Sequence, residues 1–352
     1  MRGFLGISMA VMVVAGCKRG GTTGEVQHPW LAQVHQFPGP EDTLYVEATL
    51  DRTIPSDEWH LIGRIAAGLI GERHIYIADD EYKGVHVYDH QGKWLKTVGR
   101  GGEGPAEFLR PSQLGWIGRD TLAVLDGGRG LLKLFRVQDT TFVYLEDLQL
   151  FAGVEDFCVL QHRLYVRGGD GQLAHYVHVY DLKGRRLQSF GRIPGGYEDE
   201  LVRVYVAGGL IACLERELLI ITASRILPVI TAYRPDGTLL WEYRLPDFVP
   251  VRIHLPEPGA VEMDTHKRYD VVMALEPFMQ GVLWQIGHRN NMRFVGFTTY
   301  YVDANGNVYV VNEESFHSNA ILNIRSSSFI EGNNFPEPKV FSGIFSVQNE
   351  DI

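Results

Sequence analysis

The sequence predicts an all-β protein, a six-bladed β-propeller of four-stranded antiparallel blades. Its composition is rich in turn-forming and aromatic residues, with 39 Gly, 17 Phe, 16 Tyr and 6 Trp among 352 residues. A motif of strand, tight turn and strand recurs through the chain, and residues 86–92 and 178–184 share five of seven positions. The copies recur at roughly the 40–50 residues typical of one propeller blade.

The N-terminal residues 1–16 have the layout of a secretory signal peptide. Arg2 supplies a positive charge, residues 4–14 form an almost continuous apolar run, and small residues precede Cys17. The run is shorter than the ~20 apolar residues that span a bilayer. We therefore expect residues 1–16 to be removed and residues 17–40 to form a flexible tether.

The segment Val14-Ala15-Gly16-Cys17 resembles the lipobox of bacterial lipoproteins. The resemblance implies that the Cys17 thiol receives a diacylglyceryl group, that the chain is cut before it, and that a fatty acid such as palmitate acylates the new N-terminus. It also implies a cell-envelope location, with the outer membrane favoured because Lys18 rather than Asp follows the cysteine. A cysteine that merely lies near a cleavage site is the alternative.

The repeat is defined by one turn position in each copy. These turn residues are Gly92, Asp139, Gly184, Gly237 and Gly306, separated by 47, 45, 53 and 69 residues. Gly and Asp suit turn positions with positive φ. Strand-like runs lie upstream of the first four turns, at residues 74–78, 121–125, 163–166 and 218–221. Four short strands per repeat make a blade that must stack on its neighbours to cover its faces.

The longest separation contains Pro246, Pro250, Pro256 and Pro258 and an acidic, partly helical-looking stretch, so an insertion is predicted at about residues 246–280. An alternative places residues 300–310 one strand earlier in their blade. A sixth blade is predicted to combine strands from both ends of the chain, namely residues 43–50, 320–325 and 340–347. The propeller would then occupy residues 41–352, with the strand assignment of residues 246–300 and 312–352 open.

Residues 98–108 (Val-Gly-Arg-Gly-Gly-Glu-Gly-Pro-Ala-Glu-Phe) resemble the Gly-Arg-x-Gly-x-Gly-Pro-x-x-Phe linker of bacterial six-bladed β-propeller proteins related to NHL repeats. The resemblance covers roughly residues 45–350, and Arg192 lies in a degraded copy of the linker at residues 190–196. It implies the fold and, because many members are predicted lipoproteins, the location. It implies no single reaction, since related propellers include scaffolds, sugar-lactone hydrolases and metal-dependent lyases.

The charge balance argues against nucleic-acid binding. The chain has 43 acidic and 33 basic residues, a net charge of −10, whereas binding phosphates requires a basic face. The glycines of residues 99–104 formally match a dinucleotide fingerprint, but Pro105 and Pro111 follow where that motif needs a helix. No GxSxG, HExxH or CxxC motif occurs. We therefore expect neither nucleotide nor nucleic acid as a partner.

Two pairs of residues recur at matching repeat positions. His86 and His178 recur with the architecture, so we expect them to pack strands or bond turns rather than bind metal. Cys158 and Cys213 each lie in the apolar stretch that opens a repeat. We expect them to be buried free thiols, because neighbouring inner strands are often too far apart for a disulfide. A disulfide formed in an oxidising compartment is the alternative.

A candidate ligand face follows from the meander, because loops after the second strand of each blade share a face with the linkers between blades. The predicted ligand-face residues are Arg100, Glu103, Asp79, Asp80, Asp126, Arg129, Arg167 and Arg192. Mixed acids and arginines around a channel mouth could bind a polar ligand or a cation such as calcium. A solvated loop rim is the alternative, and no cofactor or metal ligand is assigned.

Taken together, these features predict a monomeric, membrane-anchored envelope protein. We expect a non-enzymatic binding or scaffold module for a protein, peptide or glycan. The alternative is a propeller hydrolase or lyase with a divalent metal at the central channel, and a third hypothesis is a subunit of an outer-membrane uptake system. The sequence leaves the ligand, any catalysis and the membrane leaflet open.

Overall fold

A computed structural model describes residues 62–312, except 170–173, 194–196, 198, 258–259 and 279. It also describes residues 28 and 34 and six strands nearer the two ends of the chain. The predicted cleavage site and Cys17 lie outside the described residues. Within the described part, no helix is long and apolar enough to cross a membrane.

Thirty strands and one helix make up the described structure. In chain order the strands are β1 (Gly24–Glu25), β2 (Asp42–Tyr45), β3 (Ala48–Ile54), β4 (Ile65–Ile70), β5 (His74–Asp79), β6 (Gly84–Asp89), β7 (Trp94–Val98), β8 (Arg100–Gly101), β9 (Glu107–Phe108), β10 (Pro111–Ile117), β11 (Thr121–Asp126), β12 (Leu131–Gln138), β13 (Thr141–Gln149), β14 (Val154–Leu160), β15 (Arg163–Gly168), β16 (His175–Asp181), β17 (Arg186–Arg192), β18 (Gly209–Leu214), β19 (Leu219–Ser224), β20 (Val229–Tyr233), β21 (Leu239–Arg244), β22 (Arg252–Leu255), β23 (Glu262–Asp264), β24 (Arg268–Phe278), β25 (Gly281–Asn290), β26 (Arg293–Asp303), β27 (Val308–Asn312), β28 (Ala320–Asn323), β29 (Ser328–Glu331) and β30 (Phe341–Val347). The helix, α1, spans Glu200–Ala207 between β17 and β18.

The strands form the predicted blades. Strands β4–β7, β10–β13, β14–β17 and β18–β21 each make a four-stranded antiparallel sheet in chain order. Strands β24–β27 make a fifth such sheet, to which β2 adds a parallel strand at the β27 edge. A sixth sheet has the order β28-β29-β30-β3, so it joins strands from opposite ends of the chain. We number these sheets as blades one to six.

The blades are arranged side by side as in a propeller ring. The first strand of each blade contacts the first strand of the next, from β4 through β10, β14, β18 and β24 to β28. Separate apolar cores fill the spaces between successive blades one to five. Phe108, fully buried between blades one and two, is an example. Stacking therefore buries the faces that a single blade would leave exposed, at roughly 25 cal/mol per Å² of apolar surface.

The five turn residues predicted from the repeat all connect the third strand of a blade to the fourth. Their φ angles are 78° (Gly92), 53° (Asp139), 76° (Gly184), 86° (Gly237) and 90° (Gly306), as expected. In three copies the aspartate at the start of the turn accepts two backbone N–H bonds, from the residues two and four positions after it. Residues 300–310 follow the same pattern, so the alternative that shifted them by one strand is wrong.

The long connection between blades four and five differs from the sequence expectation. Strands β22 and β23 form a small sheet outside the blades, and β1 pairs with β22. Residues 268–278, within the stretch expected to look partly helical, form β24, the innermost strand of blade five. The predicted tether is also partly docked, since Val34 is buried in the core between blades three and four.

The predicted free thiols are contradicted by a disulfide between Cys158 and Cys213. Their Cα atoms lie 5.7 Å apart, within the range that a disulfide requires. The expectation fails because β14 and β18, the innermost strands of blades three and four, run in direct contact. The disulfide therefore joins two neighbouring blades close to the propeller axis.

Candidate functional site

The propeller has two faces that can be defined by their loops. The linkers between blades and the loops after each second strand lie together, which we call the linker face. The opposite face, which we call the turn face, carries the turns at Gly92, Asp139, Gly184, Gly237 and Gly306. The strand register supports this assignment, because the start of each first strand pairs with the end of the second, as in Ile65 with Asp79 and Pro111 with Asp126.

Asp79 and Asp126 lie at equivalent positions, at the ends of β5 and β11, and both are fully buried. Asp79 accepts backbone N–H bonds from Gly63 (2.6 Å) and Arg64 (3.1 Å), in the segment that enters blade one. Asp126 accepts the equivalent bonds from Leu109 (3.0 Å) and Arg110 (2.7 Å). These two carboxylates therefore brace the incoming linkers from inside the blades and are not exposed on the linker face.

The pKa of Asp79 shows which influence prevails at this brace. Burial alone would raise it, since a buried carboxylate loses the solvation of its charge. The contact with His86 Nε2 (3.3 Å) and the backbone N–H bonds lower it to about 2. His86 Nδ1 in turn contacts Thr97 Oγ1 at 2.9 Å, and His178 makes the equivalent contact with Ser189, so the predicted architectural role of both histidines is confirmed.

Asp80 is the next residue of the predicted cluster. Its carboxylate accepts two bonds from the guanidinium of Arg64, whose side chain is 55% exposed. The Asp80 carbonyl also accepts a bond from the Lys83 ammonium. Asp80 thus closes the loop after β5 onto the entrance of blade one. A carboxylate with these partners holds the loop in place and offers little to an outside ligand.

The glycine-rich linker between blades one and two folds around Glu107. The Glu107 carboxylate accepts bonds from the Gly104 N–H and from Arg100 Nε, each at 2.8 Å, and these donors lower its pKa. Phe108 anchors the linker, and Gly99, with φ 82°, leaves room for its ring. The nucleotide-like glycine spacing therefore builds a compact inter-blade clasp, as the sequence predicted.

The clasp is tied to the loop after β11. Arg129 Nη1 donates to the Glu103 carbonyl at 2.8 Å. The buried Lys133 ammonium lies 3.1 Å from both carboxylate oxygens of Asp147 and 3.5 Å from the Gly104 carbonyl. These contacts hold the linker in place, while the side chains of Arg100 and Glu103 stay exposed. Arg129 thus lies against Glu103, in the linker that also carries Arg100.

Arg167 differs from its predicted place on the ligand face, because it is only 1% exposed. Its guanidinium lies 4.1 Å from the centre of the Tyr176 ring and donates to the Gly208 carbonyl at the end of α1. Burial lowers the pKa of the guanidinium. The aromatic face and the negative end of the helix stabilise the buried cation. Arg167 therefore supports the helix inside the fold.

Arg192, by contrast, is exposed at the end of β17 and lies on the linker face as predicted. This face also carries a pair that was not among the predicted residues, Glu155 and Arg225, whose side chains form an ion pair at 2.8 Å between blades three and four. Arg225 directly follows β19, as Asp80 follows β5, so the loop rule applied to the fourth repeat identifies it. The exposed members of the linker face form a polar rim: Arg100, Glu103, Arg192 and, in part, Arg129, Glu155 and Arg225.

This rim has mixed charge. Among the described residues, no group of three or more His, Cys, Asp and Glu side chains could hold a metal ion. The arrangement instead offers guanidinium donors and carboxylate acceptors spread over the ends of several blades. Such a surface suits hydrogen bonding to a polar partner more than polarisation of a single reacting atom.

A ring of four-stranded antiparallel sheets with a polar linker face places this chain among the β-propellers. Residues 56–187 match the model of a family, DUF5128, described as a 6-bladed beta-propeller, which confirms the resemblance drawn from the linker motif. The match covers blades one and two and most of blade three. No curated protein matches the chain.

Solved structures extend the likeness to nearly the whole chain. A putative exported protein from Bacteroides fragilis superposes with a TM-score of 0.59 at 10% identity, covering 89% of this chain and 98% of its own. A member of the duf4221 family from Bacteroides vulgatus superposes with a TM-score of 0.54 at 10% identity, covering 87% and 99%. At this identity the likeness establishes the fold alone.

Proposed function

We propose that the protein is a lipid-anchored β-propeller of the bacterial cell envelope that binds a protein, peptide or glycan partner through its linker face. The lipobox-like residues before Cys17 support the anchor, and Lys18 favours the outer membrane. The exported protein among the similar structures and the buried Cys158–Cys213 disulfide support an oxidising compartment.

The binding proposal rests on one observation: the charged side chains of the linker face divide into a buried group and an exposed group. The buried ones, such as Asp79, Asp126 and Arg167, are engaged by backbone groups or aromatic rings inside the fold. Arg100 and Glu103 remain at the surface, with the Arg100 side chain 81% exposed. The ion pair between Arg100 and Glu107 is screened by solvent and therefore weak, so Arg100 can turn to a partner at little cost.

The proposal is tested with the double variant Arg100→Ala/Glu103→Ala. The control is Arg185→Ala/Asp120→Ala, which removes one base and one acid from exposed positions on the turn face. Partners are fixed in intact cells with formaldehyde, recovered with the tagged protein and identified by mass spectrometry, and affinity is then measured on the purified partner. We expect the linker-face variant to lose about tenfold or more in affinity, with the melting temperature unchanged within about 2 °C.

Two results would contradict this proposal. One is an equal loss of affinity for the same partner in the turn-face control. The other is a parallel fall of melting temperature and binding in the linker-face variant, which would reduce Arg100 and Glu103 to parts of the inter-blade clasp.

A further inference from the structure

Blade five carries a hairpin that is longer than its counterparts. Strands β25 and β26 have 10 and 11 residues, whereas β5 and β6 of blade one have 6 each. Both β6 and β26 end at the aspartate of the third-to-fourth turn, Asp89 and Asp303. The additional residues of β26 therefore extend from its other end, on the linker face. At ~3.4 Å per residue, they project the hairpin by about 15 Å.

We call residues 265–268 and 288–297 the blade-five tip. The backbone N–H of Met292 donates to the Thr265 carbonyl at 3.1 Å, and the side chains of His266 and Asn291 are in contact. The Arg289 guanidinium lies 3.8 Å from the centre of the Phe294 ring. These contacts order the hairpin, so its surface composition is a defined feature of the fold.

The surface of the tip combines exposed apolar side chains with cations. Val295 is 61% exposed and Met292 is 43% exposed. The two segments contain Lys267, Arg268, Arg289 and Arg293 and no Asp or Glu, in a chain whose net charge is −10. Lys267 pairs with Asp264 just outside the tip, which leaves three arginines. Apolar side chains among cations are the chemistry of a surface that binds anionic lipid.

The position of the tip relative to the N-terminus gives a second, independent argument. Strand β1 pairs with β22, β22 pairs with β23, and β23 leads directly into Thr265 of the tip. Two strand spacings place β1 about 10 Å from β23. Gly24 in β1 is the seventh residue after Cys17, so an extended chain reaches at most about 25 Å from a lipid on Cys17. A lipid anchor there would hold this side of the propeller close to a bilayer.

We propose that the blade-five tip contacts the membrane surface, with Val295 and Met292 entering the headgroup region and the arginines binding the phosphates of anionic lipids. This inference rests on the proposed lipid anchor at Cys17. The propeller then lies tilted, with blade five lowered to the bilayer. Blade two, three positions away in a ring of six, is raised, and the rim at Arg100 and Glu103 stays open to a partner.

The test uses the full protein purified from membranes and reconstituted in vesicles of phosphatidylcholine with or without phosphatidylglycerol. A fluorophore sensitive to polarity is attached to Val295→Cys. Asn305→Cys is the matched control, because Asn305 is exposed at the turn-face end of the same blade. Quenching by lipid-attached nitroxides measures contact with the bilayer, and flotation with mass analysis of Cys17 measures the anchor.

We expect lipid quenching at position 295 to exceed that at 305 at least threefold in anionic vesicles. Arg289→Gln/Arg293→Gln should remove most of this difference, as should neutral lipid. If the protein floats with lipid on Cys17 but positions 295 and 305 are quenched equally, the tip inference is overturned and the anchor stands. If the protein does not float and Cys17 carries no lipid, both are overturned. Shielding of position 295 in a second copy, without lipid quenching, would also overturn the inference.

Discussion

At the scale of single residues, the buried aspartates show how a charged sequence cluster can be structural. Asp79 accepts four backbone N–H bonds, from Gly63, Arg64, Glu81 and Tyr82. A carboxylate that accepts several N–H bonds is stabilised in its charged form. Asp79 therefore fixes both the loop that follows β5 and the segment that enters β4.

The pH dependence of the stability of Asp79→Asn tests whether the charge of Asp79 stabilises the fold. The folded-state pKa of about 2 lies below the ordinary 3.8, so the ionised carboxylate stabilises the fold above about pH 4 and this contribution is lost as the pH falls towards 2. We expect the variant to lose about 2 kcal/mol of unfolding free energy at pH 7 and much less near pH 2.5. Urea unfolding at both pH values measures the difference.

Asp120→Asn is the control for this experiment, because Asp120 is 63% exposed and lies 4.0 Å from Arg136. We expect its effect to stay within about 0.5 kcal/mol at either pH. A destabilisation of Asp79→Asn that is the same at pH 7 and pH 2.5 would show that the charge of Asp79 does not stabilise the fold.

The sequence could predict which loops share a face but not which of their side chains point outward. Asp79 and Asp80 are adjacent acids in the sequence and were both expected on the ligand face, yet both are buried, Asp79 against backbone N–H groups and Asp80 against the guanidinium of Arg64. Arg167 was predicted on the ligand face because it lies near the end of a second strand. Its burial depends on Gly208 and Tyr176, and that contact cannot be inferred from sequence spacing.

At the scale of elements, the inter-blade linker depends on close packing at Gly99. This glycine has φ 82°, and a Cβ added there would overlap the Phe108 ring. Phe108 is fully buried, so the ring cannot move away without opening the core between blades one and two. The family-like spacing of glycine and phenylalanine thus has a steric cause in this chain.

Gly99→Ala is expected to destabilise the protein by about 3 kcal/mol, from the left-handed backbone and the overlap together. Gly118→Ala separates the two effects, because Gly118 also has positive φ (67°) but has no neighbouring atom within 4 Å of an added Cβ. We expect about 1 kcal/mol for that variant. Equal losses in thermal or urea unfolding would show that packing against Phe108 contributes nothing.

Helix α1 was not predicted, and its composition explains why. Its eight residues include three valines and a tyrosine, which favour strands when read locally. The helix forms because Asp199 caps its N-terminus and Val202, Val206 and Ala207 are buried against the core. A helix this short takes its stability from tertiary packing, which the local sequence does not reveal.

At the scale of the whole molecule, the repeat made the architecture predictable. One turn position per blade, with positive φ in every copy, fixes the count and phase of the first five blades. The sixth blade was expected from strand-like runs at both ends, and β3 pairs with β30 accordingly. The assignment of residues 43–50 to the sixth blade is wrong in part, because β2 joins blade five, whereas β3 joins blade six. The blade that each strand joins is decided by its pairing with strands far away in the sequence, and the local sequence does not reveal that pairing.

The disulfide adds a covalent link to this arrangement of blades. Because Cys158 and Cys213 are 55 residues apart, opening the link frees a long loop in the unfolded chain. The chain-entropy relation gives a stabilisation of about 4 kcal/mol for a loop of this length. Both cysteines are buried, so a reductant reaches the bond only when blades three and four separate.

We therefore expect Cys158→Ser/Cys213→Ser to lower the unfolding free energy by about 4 kcal/mol, measured by urea unfolding of the purified protein. The control is the unsubstituted protein, unfolded with and without dithiothreitol: reductant should weaken it to the level of the variant and leave the variant unchanged. If the reductant leaves the unsubstituted protein unchanged, the two thiols are not joined. If Cys158→Ser lowers the unfolding free energy by the same amount when both proteins are fully reduced, packing of the side chains accounts for the loss. Only an effect of the covalent link depends on reductant.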